Sequence, residues 1–183
     1  MSDLDDIRDL LGVQLYRSTP TDWEAASQAL GASTPGDFRA LVDALGPGLI
    51  GNDTVLLQPY ATDKNYDQVL IHQERMRGLE IIWEDEEDDD PEDQTKPLIF
   101  NEPGVRPVLW AYSSLGYYLH WVARPDTDPA SWQIALESAR GEDWEFHAGT
   151  ATSFLLRLFR GQEPSKYLGY LQNAEQHSFT PAR

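Results

Sequence analysis

Between Glu84 and Asp93 the chain places nine acidic side chains in ten residues, interrupted only by Pro91. No fold can bury this stretch, because each unpaired carboxylate taken out of water costs several kcal/mol. It must run along the surface, and it separates two parts of the chain with different patterning. It also supplies more than half of the formal net charge of −17: without its nine acids, 22 acidic side chains would face 14 Lys and Arg, a net −8. Two readings stay open for it. One is a solvated, self-repelling insert; the other is a docking surface that steers a cationic protein.

The part before the run is patterned for helices. Leu4, Ile7, Leu10 and Leu11 form a short apolar stripe that stops at Gly12. Thr21 and Glu24 have capping-box spacing, followed by Trp23, Ala26 and Leu30 at helical intervals and Gly31 as a left-handed stop. Thr34 as N-cap, Pro35 in the first turn and Phe38, Leu41, Val42 and Leu45 at i, i+3, i+4, i+7 predict the next helix, ended by Gly46. Leu49-Ile50 and Thr54 to Leu57 are short and β-prone, and residues 64–77 repeat at helical spacing. Glu80 to Trp83 is expected to be a short strand entering the acidic run.

The part after the run is β-rich. Strands are expected at Leu98 to Phe100, Val108 to Tyr112, Tyr117 to Ala123, Trp132 to Leu136 and Trp144 to His147, with turns at Pro103-Gly104, Ser114-Leu115-Gly116, Pro125 and Gly141. A helix opened by Thr150 or Thr152 carries Phe154, Leu155, Leu158 and Phe159 on one side. Helices first, antiparallel-type strands next and a closing helix predict an α+β order and not βαβ alternation. The expected organisation is one domain over residues 1–161, with residues 84–93 inserted. A polar, loosely held tail over 162–183 is expected to contain one helical turn near Tyr167 to Leu171.

Composition removes several function classes. A hydrophobic fraction of 40% with 11% aromatics is that of a globular chain. There is no cysteine, so disulfides, thiolate metal sites and thiol nucleophiles are excluded. The acidic start Met1-Ser2-Asp3-Leu4-Asp5-Asp6 lacks the pattern of a secretory leader, and no apolar run reaches the roughly 18–20 residues of a membrane span. A soluble, cytoplasmic protein is expected. The net charge and the lack of a basic stripe disfavour nucleic acid and anionic membranes, which leaves a basic protein as the expected partner.

Three groups of residues resemble the SMI1/KNR4 family of the SUKH superfamily, in particular its actinobacterial members. They are Trp23-Glu24 with Leu30-Gly31, Pro35, Asp37-Phe38 and Gly46-Pro47-Gly48-Leu49-Ile50; Pro107 to Ala111 with Gly116, Tyr118, Leu119 and Trp121; and Asp128 to Trp132 with Trp144 and Ser153-Phe154-Leu155. The resemblance spans residues 20–161, and the acidic run is its least transferable part. It implies an α+β fold with a central, mostly antiparallel sheet flanked by helices, and a non-enzymatic role, that of an immunity protein which binds and neutralises a toxin domain, many such toxins being basic nucleases. Eukaryotic relatives act instead as intracellular scaffolds, so an adaptor for an endogenous protein is the alternative.

The candidate partner-binding residues are Glu84, Asp85, Glu86, Glu87, Asp88, Asp89 and Asp90, which would supply steering charge, with Trp110 and Trp121 as aromatic anchors. Core packing is the default alternative for strand-borne tryptophans. No catalytic residue, cofactor or metal is expected. The histidines His72, His120, His147 and His177 have no metal-ligand spacing, although His120 and His147, both on expected strands, could converge on one site.

Overall fold

The helical first third forms as α1 (Asp3–Leu11), α2 (Trp23–Leu30) and α3 (Gly36–Leu45) in a computed structural model that describes residues 2–13, 20–85 and 95–182. Each of α1 and α2 ends at a left-handed glycine, Gly12 and Gly31. Asp22 caps α2, its carboxylate accepting from the Ala25 N–H at 3.0 Å, in place of the expected Thr21–Glu24 box. Thr21 instead receives the Gln58 amide. Helix α3 starts one residue later than expected, with Pro35 at the cap position.

Strands β1 (Gly48–Ile50) and β2 (Thr54–Leu56) follow, then α4 (Gln68–Asp85), β3 (Arg106–Ser113), β4 (Tyr117–Ala123), β5 (Ile134–Glu137), β6 (Trp144–His147), α5 (Ala151–Phe159) and β7 (Phe179–Pro181). The strands form one antiparallel sheet in the order β6-β5-β4-β3-β2-β1-β7. The chain thus adopts the expected α+β class, a central sheet with helices on both faces.

Alternation sorts the strand residues between the two faces. Ile50, Leu56, Leu119, Trp121, Ile134 and Leu136 join the main core with α1, α3 and α5. Val55, Leu57, Leu109, Tyr112 and Tyr118 face the other way, toward α4. In β3 the pairing slips between Leu109 and Ala111. This bulge puts Ala111 into the main core beside Trp110. There Phe38 meets Trp121 and Trp110 edge-on, with ring centroids at 4.9 and 5.9 Å, and the two indoles stack at 6.0 Å. Such pairs contribute about 0.5–1.5 kcal/mol each beyond the apolar area they bury.

Three expectations are corrected. Glu80 to Trp83 is not a strand but the last turns of α4, because the helical stripe Val69, His72, Met76, Leu79, Trp83 continues past residue 77 and the helix buries Leu79 completely. Leu98 to Phe100 is a 3-10 turn closed by the Phe100 N–H on the Pro97 carbonyl, not a strand. The segment after residue 161 is not a loose tail. Tyr167, Leu168 and Leu171 are buried in the main core, and β7 completes the sheet against β1. Gly48 makes that pairing possible, since a Cβ there would lie 2.4 Å from the Phe179 ring. Replacing Leu171 with Ala is therefore expected to cost about 2–5 kcal/mol of unfolding free energy. Urea denaturation checks this; a cost below about 1 kcal/mol would show the C-terminal segment to be dispensable for the core.

Candidate functional site

Glu84 and Asp85 are the last residues of α4, and both are exposed. Glu86, Glu87, Asp88, Asp89 and Asp90, with Pro91, Glu92 and Asp93, lie outside the described residues. Trp110 and Trp121 are corrected as anchors: both are fully buried under α3, and neither can touch a partner. Their indole N–H groups find no acceptor among the described residues.

A different aromatic group reaches the surface where α4 ends and the acidic run begins. Trp83, from the last turn of α4, stacks on Phe100 at 5.9 Å and lies 6.4 Å from Trp144. Phe100 also meets Trp144 edge-on at 5.3 Å, and Phe146 stacks beside Trp144 at 6.5 Å. The spacing of two residues puts Trp144 and Phe146 on one face of β6, and the four-residue step from Leu79 to Trp83 puts that indole on the buried side of α4. Phe146 is 40% exposed, and the elements that carry these rings also hold Leu98 at 85% and Ile81 at 60%. Lys96 sits over the Trp83 ring at 5.1 Å. Trp144 and Phe146 both fall on an expected strand, and Phe100 on another that forms a 3-10 turn instead. Trp83 was legible as the continuation of the α4 stripe.

Beneath the rings lies a buried polar network. Glu137, fully inaccessible, receives the Arg75 guanidinium on both oxygens, Nε at 3.2 Å from Oε2 and Nη2 on Oε1, and His120 Nε2 lies 2.8 Å from the same Oε2. Arg75 also covers the Tyr118 ring at 4.3 Å and reaches the Ala139 carbonyl. Burial first, and then the charge that His72 would carry when protonated and that of Arg75, push the His120 pKa well below the usual histidine value. The physical reason is clear: Arg75 already neutralises Glu137, so a second cation would be uncompensated. His120 is therefore neutral, donates from Nε2 to Glu137, and packs its ring 5.5 Å from Trp144. The same face holds the β3 bulge. Gln68 donates to the Leu109 carbonyl at 2.8 Å, and the Leu109 N–H donates to His72 Nδ1 at 3.3 Å, so two α4 side chains satisfy backbone groups beyond the end of β2.

His120 and His147 do not converge. They pair with Ala135 and Ile134 of β5, adjacent residues that point to opposite faces. His147 packs on Phe154 of α5 and is held at both ring nitrogens, by Glu163 at 2.7 Å and Glu145 at 3.2 Å. Arg157 holds the other Glu163 oxygen at 2.7 Å. His147 is thus held at both ring nitrogens, while His120 is bound only through Nε2 and is fully buried.

The arrangement is an aromatic patch over a buried polar network, in which His120 Nδ1 and Gln68 Oε1 have no partner among the described residues, next to the exposed acids Glu84 and Asp85 that begin the acidic run. Among the described residues no helix is long and apolar enough to cross a membrane. Comparisons of the chain with protein-family models, with curated proteins and with solved structures give no match.

Proposed function

We propose that this chain is a non-enzymatic protein-binding domain that docks a basic partner on the surface formed by Trp83, Trp144 and Phe146 and the acids that begin at Glu84. The role this fits best is that of an immunity protein that occludes a cognate, nuclease-type toxin domain. The observation that carries the reading is the placement of the exposed Phe146 and its stacked neighbours at the α4 terminus where the acidic run starts. The α+β fold and the net charge of −17 are in keeping with it. In mechanism, the acids raise the rate of encounter with a cation-rich face, and the aromatic contact sets the residence time. Occlusion then requires burial of about 1,200–2,000 Å² in total at the partner's active face.

Two variants separate these contributions. Phe146→Ala is expected to speed dissociation of the captured partner by about tenfold or more, as loss of an interface aromatic does, while the melting temperature stays within about 2 °C. Replacing residues 84–93 with Gly and Ser is expected to slow association and flatten its salt dependence, with dissociation nearly unchanged. The assay is affinity capture from the native lysate at low and high salt, followed by binding kinetics with the identified protein. A toxin-like basic partner released by salt supports the immunity reading. A salt-insensitive endogenous partner would overturn it in favour of a scaffold.

A further inference from the structure

The edge of the sheet beside the aromatic patch carries no further strand among the described residues. The Ser138 N–H donates to the Asp143 carbonyl at 2.9 Å, and residues 134–137 pair with 147–144 in the same register. In an antiparallel ladder, bond-exchanging pairs alternate with pairs that exchange none. The exchanging pairs here are therefore Leu136 with Glu145 and Ile134 with His147. The N–H and C=O groups of Trp144 and Phe146 point away from β5, out of the sheet. Since β6 is the terminal strand, these four groups meet no further strand among the described residues. At the far end the Ala148 carbonyl is taken by Arg157 at 2.6 Å, which closes the open stretch after Phe146.

We infer that the partner is recognised by strand addition: an extended, basic segment of the partner protein pairs its backbone with Trp144 and Phe146 at the β6 edge. This rests on the docking reading above and deepens it. The two residues that offer free backbone groups are the same two whose rings form the exposed patch, so one bound strand would satisfy the ladder and cover Phe146 together. Side chains opposite Trp144 and Phe146 would share their face with the rings, and the exposed acids Glu84, Asp85 and Glu142 select cationic residues along that segment. A second copy of this chain is disfavoured as the occupant, because it would bring another net −17 against the same edge.

Strand addition can be separated from contact with the rings. Phe146→Pro removes an N–H that faces the partner and not β5, and proline is tolerated at such an edge position. Phe146→Ala removes the ring and keeps the N–H. A display library of short extended peptides, with Lys or Arg alternating with β-branched residues, is selected on the full chain at low salt. A selected peptide is then titrated while amide hydrogen exchange is followed by NMR. The expected result is slowed exchange at Trp144 and Phe146 in the wild type, and a further loss of affinity of at least about tenfold in Phe146→Pro relative to Phe146→Ala. Salt-sensitive binding without slowed amides, with equal effects of the two substitutions, would overturn strand addition and leave the docking surface standing. Protection that depends on protein concentration without peptide would identify a second copy as the occupant and overturn the basic segment. If no peptide is selected, strand addition fails, and capture of a basic partner decides the docking reading separately.

Discussion

Replacing Arg75 with Met is expected to lower the unfolding free energy by about 3–5 kcal/mol at neutral pH, the cost of leaving a buried charge without its counter-ion. Glu137 is fully inaccessible, and its carboxylate is held by Arg75 and by His120. With the guanidinium gone, the carboxylate keeps a single neutral donor in a site that water does not reach. The deficit should also depend on pH in a particular direction. Arg75 is one of the cations that hold the His120 pKa down, so its removal lets His120 take up a proton and replace the missing charge. The variant's deficit should therefore shrink as the pH falls from neutral toward about 5. The double variant Arg75→Met, Glu137→Leu, which removes both charges, should recover most of the loss. Equilibrium denaturation of the three proteins at two pH values checks all of this. A single-variant cost below about 1 kcal/mol would mean that water reaches the pair.

The same network links stability to the proposed docking surface. His120 lies under Trp144, and Trp144 carries the patch toward Phe146. A change in the Arg75 pair should therefore loosen the patch as well as the fold. Phe146→Ala, by contrast, alters a side chain that is already part-exposed and should leave the network intact. Comparing the two separates binding lost through disorder from binding lost through missing contact.

Much of this fold could be read before the structure. The stripe Phe38, Leu41, Val42, Leu45 states its period clearly because it buries one face of α3, and the run Tyr117 to Ala123 reads as a strand because it is apolar and buried on both faces. The errors cluster where period and burial part company. Ile81-Ile82-Trp83 looks β-prone, yet Ile81 points to solvent while Leu79 and Trp83 carry the helical contact, so tertiary packing overrode local propensity. The C-terminal segment is polar on average, but its few apolar residues, Tyr167, Leu168 and Leu171, are placed in the core, and composition averages hide such sparse anchors. Ordinary alternation puts Trp110 with Val108 and Trp121 with Leu119 in the main core, where core packing is the default for strand tryptophans; only Ala111 reaches that side through the bulge at Leu109–Ala111. A bulge leaves no mark in the hydrophobic pattern. The acidic run announced a surface; the rings beside it came from three separate segments, and only the topology brings them together.

Acidification from pH 6.5 to 5 should destabilise the fold steeply. Burial, aided by the nearby Arg106 cation, lowers the His72 pKa from 6.5 to about 4, and burial lowers His120 in the same direction. Both folded pKa values lie below the unfolded one, so the unfolded chain binds more protons throughout this window. Stability is then complete above about pH 6.5, is lost as the pH falls, and levels off only below the folded values. His72 by itself accounts for about 3 kcal/mol over the whole span, and each buried histidine contributes a slope approaching about 1.4 kcal/mol per pH unit. The structural cause is specific. His72 Nδ1 must be unprotonated to accept the Leu109 N–H, so its protonation removes the acceptor at the β3 bulge. His72→Asn keeps an acceptor oxygen and cannot titrate. It should roughly halve the slope between pH 6 and 5, whatever it costs in packing at neutral pH. The measurement is urea denaturation of both proteins across that range. A wild-type stability flat from pH 6.5 to 5 would mean that these imidazoles open to solvent before they protonate, and the support they give to β3 and to Trp144 would then have to come from elsewhere in α4.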